Sequence, residues 1–280
     1  MTMTDPSASK VMSPKAAQPE SGTGSELADS VLLRESDSGG VGGAAADAET
    51  LLPDRPDPSD EVLVDQAGRP LGPRALRTRR KILEATVRLL AEKPMRDMRV
   101  IDIARQIGSS PATFYQYFKD VEDVVLHLAG QMKESTPQLV ELIAGDWEGR
   151  AGHERGRKIA NLVIDHWEKF APVLRARNNA SDEGNLALRA ERMAAMMPLV
   201  EAFRQAIERA QAQSDRAPAA GDTEEWEGGG IDPLVGATAI TSCLERLSMY
   251  HGWIAELGGS REAIVETTAS LMQSMLAPRR

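Results

Sequence analysis

The stretch IARQIGSSPATFYQYF, residues 103–118, decides the fold. Ile103, Ala104 and Ile107, with Val100 upstream, repeat at helical spacing. They predict a short helix stopped at Gly108, a residue that takes positive φ without strain. Ser110 then reads as an N-cap, with Pro111 in the first turn of the next helix. Phe114 and Phe118 lie four residues apart and face inward, leaving Thr113, Tyr115, Gln116 and Tyr117 as polar or amphipathic positions beside them. Two short helices joined by a glycine-containing turn form a helix-turn-helix, whose second helix enters the major groove of DNA N-terminus first.

The flanking sequence completes a small helical domain. Residues 76–93 predict a strong helix with Ile82, Thr86, Leu89 and Leu90 on one face and Leu83 beside them; Pro94 ends it. Asp120 caps a fourth helix running to about Ser135, with Val121, Val124, Val125, Leu128 and Met132 toward the core. Helical patterning then persists, with candidate helices at 138–147, 157–170, 185–213, 233–257 and 261–276. Pro198 is expected to kink or break the third of these. Connections are expected at Pro172, 178–184, 216–230 and 258–259, the 216–230 stretch being acidic, Gly-rich and loop-like. The fold class is all-α.

Charge is segregated along the chain. The net charge of −9 argues against a DNA binder until it is divided by region. Residues 73–119 carry 11 basic and 4 acidic side chains, a net of +7; residues 1–72 and 120–280 carry a net of −8 each. Phosphate binding depends on the contacts actually made, so a local basic island suffices. Residues 1–72, rich in Ser, Gly, Ala, Pro and Asp, lack apolar periodicity and are expected to form a disordered acidic tail; the patch at 62–64 has no assigned role. The single cysteine, Cys243, excludes an internal disulfide and a cysteine zinc site and fits a reducing, cytoplasmic setting. There is no apolar run long enough to span a membrane and no secretory signal pattern.

The segments TRRKILEA (78–85), IARQIG (103–108) and SPATFYQYF (110–118) resemble, in order and spacing, the DNA-binding domain of the TetR family of bacterial ligand-responsive regulators. GRPLGPR (68–74) looks like the basic arm of some members, with Arg69, Arg74 and Arg77 able to reach phosphate or the minor groove. The resemblance implies phosphate or groove roles for Thr78, Arg79, Ser110, Ala112, Thr113, Tyr115, Tyr117 and Lys119. Gln116 is a candidate for a base edge. Two positions depart from the family pattern. Met98 and Arg99 stand where Ser or Thr usually opens the second helix, so Arg99 is expected to make a charged phosphate contact instead. Val121 stands where Lys is common after the fourth-helix cap, which shifts that contact toward Lys119.

The resemblance further implies three parts: a disordered tail (1–72), a helix-turn-helix DNA-binding domain (73–130), and a helical effector-binding and dimerisation domain (131–280). Leu234, Ala237, Ile240, Thr241 and Leu244 form one candidate dimer stripe, and Ile264, Thr268, Leu271 and Met275 another, though a core could use the same stripes. Trp147, Trp167, Phe170, Met193, Met196, Met197, Phe203, Tyr250 and Trp253 are candidate pocket residues, with Asn178, Asn179, His166 and His251 as orienting polar groups. The segment LERLSMYHGW (244–253) looks like that of members with lipophilic cavities and suggests an apolar effector. The histidines show no metal spacing, no cofactor motif is present, and nucleophile-elbow, P-loop and dinucleotide patterns are lacking, so an enzyme is not expected. The expected function is a sequence-specific regulator, a repressor released from a pseudo-palindromic operator by a small ligand. The alternative is an architectural DNA-binding protein without effector control.

Overall fold

The computed structural model describes residues 63–133, 135–214 and 230–278. The expectations for the tail before residue 63 and for most of the 216–230 loop lie outside the described residues. The described chain is helical, with one isolated antiparallel bridge, Val64 to Pro70. Helix α1 (Pro73–Glu92) buries Ile82, Leu83, Thr86 and Leu89 on the face expected from their spacing and also buries Ala85 and Val87, while Leu90 is half-buried. A single 3-10 turn (Met95–Asp97) follows Pro94 and leads into α2 (Val100–Gln106). Gly108 adopts φ +65°, the conformation for which glycine was read there. Helix α3 (Pro111–Phe114) is one turn long and is capped by Ser110, whose Oγ accepts the Thr113 N–H at 3.2 Å. Asp120 caps α4 (Val121–Gly130) by accepting the Asp123 N–H at 2.8 Å. Helix α4 ends at Gly130, short of the expected Ser135.

The second region comprises α5 (Thr136–Ala144), α6 (Gly149–Asp182), α7 (Leu186–Ser214), α8 (Pro233–Met249), α9 (His251–Glu256) and α10 (Arg261–Leu276). Helix α6 differs most from expectation. It spans 34 residues and runs through Pro172, where the sequence suggested a connection. A proline inside a helix costs about 3 kcal/mol. Trp167, Phe170, Val173 and Leu174 are all buried around it, and burial of one large apolar side chain contributes about 1.5–3 kcal/mol. Packing therefore outweighs the local defect. The helix ends instead before Gly184, at φ +98°. Pro198 likewise lies inside an uninterrupted α7, whereas the expected 233–257 helix divides at Tyr250 into α8 and α9.

Helix α6 also starts before the expected 157, because packing overrides the low helix propensity of Gly149, Gly152 and Gly156. Gly156 has a packing reason to be there: a Cβ on it would stand 2.9 Å from the Ala269 Cα of α10. The seam between α6 and α10 is closed further by Arg157 with Glu262 and Glu266, His153 with Glu266, and Arg261 with Asp165 and Glu168. These pairs are partly exposed and orient the helices more than they stabilise them.

One apolar cluster joins Ile82, Ile103, Phe114, Phe118, Val124, Val125 and Leu128 to Trp167, Phe170, Val173, Leu174 and Leu188. A second cluster unites Leu139, Ile143, Trp147, Phe203, Ile207, Ala237, Leu244 and Met272. Replacing Gly156 by Val is expected to part α6 from α10 and to lower stability by about 1–3 kcal/mol. Urea unfolding measures this; an unchanged midpoint would show that the close approach is not a constraint.

Candidate nucleic-acid interface and effector cavity

The helix-turn-helix presents a defined outer surface. Phe114 and Phe118 are fully buried, with ring centroids 5.9 Å apart, and they orient the residues between them. Ala112, Tyr115, Gln116 and Lys119 are exposed, while Thr113 and Tyr117 are half-buried. Ser110 is exposed, but its hydroxyl already lies 3.1 Å from Thr113 Oγ1 and accepts the Thr113 N–H. With α3 only four residues long, any dipole at its N-terminus is small, so this capping carries the local order. Arg77 and Arg99 are exposed. Arg99 is the N-cap residue of α2, and its N–H donates to Asp102 Oδ2, which also receives Lys93 Nζ at 2.8 Å. Thr78 directs its hydroxyl to the Arg74 carbonyl at 3.1 Å.

Arg79 is placed differently from the other candidates. It is 8% exposed, and its guanidinium carbon lies 5.0 Å from the centre of the Phe118 ring. In this geometry it braces the recognition segment from below through a cation–π contact, rather than standing on the surface as a free cation.

Residues 63–72 contribute a contact that the sequence did not reveal. Asp65 Oδ1 accepts the N–H groups of Ala67 and Arg69, and Gly68 turns at φ +76°. This tight turn holds Gln66 against the end of the recognition segment. The Gln66 N–H donates to the Gln116 carbonyl at 2.9 Å, and Nε2 donates to the Tyr117 carbonyl at 3.2 Å. Carbonyls at a helix end lack intrahelical donors, and Gln66 supplies two. Only the Asp-x-x-Gly turn pattern at 65–68 could have hinted at this.

An apolar cavity lies at the other end of α4. It has a volume of about 100 Å³ and is lined by Ala129 of α4, Met132 and Lys133 just beyond it, Leu139 of α5, Val163, His166, Trp167, Leu174 and Arg177 of α6, Ala195, Met196 and Leu199 of α7, and Thr241, Leu244 and Glu245 of α8. Of the candidate pocket residues Trp167 and Met196 line it, and of the orienting polar groups His166 does. The others are corrected by their positions. Trp147 packs in the second core cluster and donates from Nε1 to the Ile143 carbonyl, and Phe203 lies in the same cluster. Phe170 belongs to the first cluster. Met193, Met197, Tyr250 and Trp253 are 38–49% exposed. Helical spacing identifies a face but cannot tell which neighbour covers it.

Polar groups at the cavity follow the same logic. Burial, reinforced by the Arg177 and Lys169 charges, lowers the His166 pKa to about 4. Its ring stands edge-on to Phe170, with centroids 5.0 Å apart, and Nδ1 lies 3.4 Å from Ser135 Oγ. Asn178 is buried and bonds Glu245, whereas Asn179 is exposed and His251 is turned toward Glu168. Burial raises the pKa of Cys243, so the thiol is not activated. Among the described residues there is no group of three or more potential metal ligands, and no helix is long and apolar enough to cross a membrane.

The description of bacterial regulatory proteins of the tetR family matches residues 82–128, and that of the tetracyclin repressor-like C-terminal domain matches residues 139–225. Both matched domains are those of TetR-family regulators. It is 31% identical over 91 residues to the fatty acid metabolism regulator protein of Bacillus subtilis (strain 168), a match covering 32% of this chain and 44% of that one. The match thus spans less than half the length of that relative. Among solved structures, native NalD of Pseudomonas aeruginosa, the secondary repressor of the MexAB-OprM multidrug efflux pump, superimposes with a TM-score of 0.53 at 17% identity. That match covers 72% of this chain and 98% of NalD. A second NalD structure gives a TM-score of 0.50 at 18% identity, covering 74% of this chain and 98% of NalD. At these identities the structural likeness is one of fold. Proteins of that family are transcriptional regulators, typically repressors that bind DNA, dimerise and take small-molecule effectors.

Acidification should test the surroundings of His166. The unfolded chain takes up a proton near pH 6.5, whereas the folded ring resists it until about pH 4. Stability should therefore fall as pH drops through that window, by about 2 kcal/mol at pH 5 from this group. His166→Gln should remove that part of the slope in urea titrations at pH 7 and pH 5; an identical slope in the variant would place the effect elsewhere.

Proposed function

We propose that this TetR-family regulator binds a pseudo-palindromic operator as a homodimer and is released from it by a small, apolar effector entering the cavity beyond α4. The observation that carries this reading is the position of α4. Val124, Val125 and Leu128 of α4 share a cluster with Phe114 and Phe118 of the recognition segment, while Ala129, at its end, and Met132, just past it, line the cavity. One rigid element thus meets both sites, as coupling between them requires.

Residues 73–130 act in this reading as the DNA-binding domain and 131–280 as the effector and dimerisation domain. Arg77, Thr78, Arg99, Ser110, Ala112, Thr113, Tyr115, Gln116, Tyr117 and Lys119 form the DNA surface, supported by the local charge of +7 over residues 73–119. The cavity is smaller than the 300–1,000 Å³ usual for a drug-sized ligand. An effector of that size must part its walls, displacing α4 and with it the recognition segment. Two recognition segments reach successive major grooves only when separated by about 34–36 Å, so such a displacement shifts the population away from DNA binding.

The dimer surface is re-drawn by the side-chain positions. Ala237, Ile240, Thr241, Leu244, Ile264 and Thr268 of the expected stripes are buried within the subunit. The opposite faces of α8 and α10 expose Leu234, Val235, Ala239 and Ser242, and Thr267, Ser270 and Leu271. Small residues there allow two such pairs to pack closely as a four-helix bundle.

Fluorescence anisotropy with a labelled duplex from upstream of the protein's own gene, excess random DNA and several salt concentrations tests the reading. Saturable binding with a steep negative salt slope supports it. Loss of binding in proportion to random DNA favours an architectural protein, and no binding at low salt overturns DNA recognition altogether. Tyr115→Ala is expected to weaken binding to every duplex by roughly tenfold. Gln116→Ala should change preference at one base position by about 1–3 kcal/mol, and a uniform loss over all duplexes would remove Gln116 from base reading.

A further inference from the structure

The cavity contains a buried guanidinium for which one hydrogen bond is formed, the Glu245 and Glu191 carboxylates acting on it through charge alone. Arg177, in the second half of α6, is 6% exposed and lines the cavity. Its Nε donates to Asn178 Oδ1 at 3.1 Å. Nη1 and Nη2 have no hydrogen-bond acceptor among the described residues. The adjacent carboxylate, Glu245, is already engaged through both oxygens, by Asn178 Nδ2 at 2.8 Å and by Arg192 Nη2 at 2.9 Å. Lys133, the other cation at the wall, is paired with Glu191 at 2.9 Å. His166 is neutral near physiological pH and brings no charge. A buried cation with two open nitrogens is unfavourable unless an anion completes it.

The rest of the wall specifies what that anion carries. Leu139, Val163, Trp167, Met196, Leu199 and Leu244 present apolar side chains to the same space. We propose that Arg177 is the head-group site for an effector that is an apolar carboxylate, with the carboxylate on Nη1 and Nη2 and the hydrocarbon part against these side chains. A planar carboxylate matches the two parallel N–H groups of a guanidinium edge. A phosphate dianion matches less well, since Glu245 stands nearby and only one guanidinium is open. The assignment rests on the cavity being the effector site and adds the chemistry of its ligand.

The test is calorimetric titration of the full chain with octanoate and with octan-1-ol, which share a hydrocarbon length and differ in the head group. Octanoate is expected to bind at least about tenfold more tightly, as a hydrogen bond to a charged group implies. Arg177→Met should abolish that preference while leaving octan-1-ol binding intact. Arg177→Lys, which keeps the charge but not the paired geometry, should retain part of it. Unfolding separates this from a structural role. If Arg177 serves a ligand, Arg177→Met keeps or raises Tm, because burial penalises this cation more than the nearby carboxylates favour it. A fall in Tm with the octanoate preference unchanged overturns the proposal. Equal affinity of the wild-type chain for octanoate and octan-1-ol overturns the head-group assignment and leaves the cavity as an effector site. Binding of neither overturns both.

Discussion

Burial of Phe114 and Phe118 is the constraint on which the rest of the structure depends. These two rings sit four residues apart in a segment with only one turn of regular helix, so local hydrogen bonds alone cannot hold it. Their anchorage in the cluster with Val124, Val125 and Leu128 sets which way Tyr115 and Gln116 face. The same cluster continues into Trp167, Phe170 and Leu174 of α6, so the recognition segment and the helical region are packed through one apolar interior. Close-packed interiors shift between discrete arrangements more readily than they deform, which suits a regulator that must hold two spacings.

Around this anchor, polar interactions act as local fastenings. Ser110 and Asp120 cap successive helices, Arg79 supports Phe118 from beneath, and Gln66 closes the carbonyls of Gln116 and Tyr117. Each is modest in energy, but together they surround a segment too short to stabilise itself. The Gln66 contact also makes the arm preceding α1 part of the recognition unit, beyond the charge carried by Arg69 and Arg74.

The effector region follows a different rule. Its helices interrupt their own propensities: Pro172 and Pro198 lie inside helices, and glycines occupy the start of α6. Each defect is tolerated because neighbouring helices cover it. The buried Arg177 and the partly buried Arg192 and Glu245 gather beside the cavity, on helices distant in sequence.

Local chemistry in the sequence by itself determined the all-α class, the helix-turn-helix, the caps at Ser110 and Asp120, the glycine turn at 108 and the basic island. Each of these depends on residues within a few positions of one another, where hydrogen bonding and helical period act directly. Tertiary structure alone decided that α6 runs unbroken to Asp182, that most of the expected dimer stripes face inward while Leu234 and Leu271 stay exposed, and that Met193, Met197, Tyr250 and Trp253 lie at the surface while Arg177 lies within. A helical period shows that a face exists, but what covers it is set by helices dozens of residues away. The open nitrogens of Arg177 are legible only once Asn178 of α6 and Arg192 of α7 have claimed Glu245 of α8.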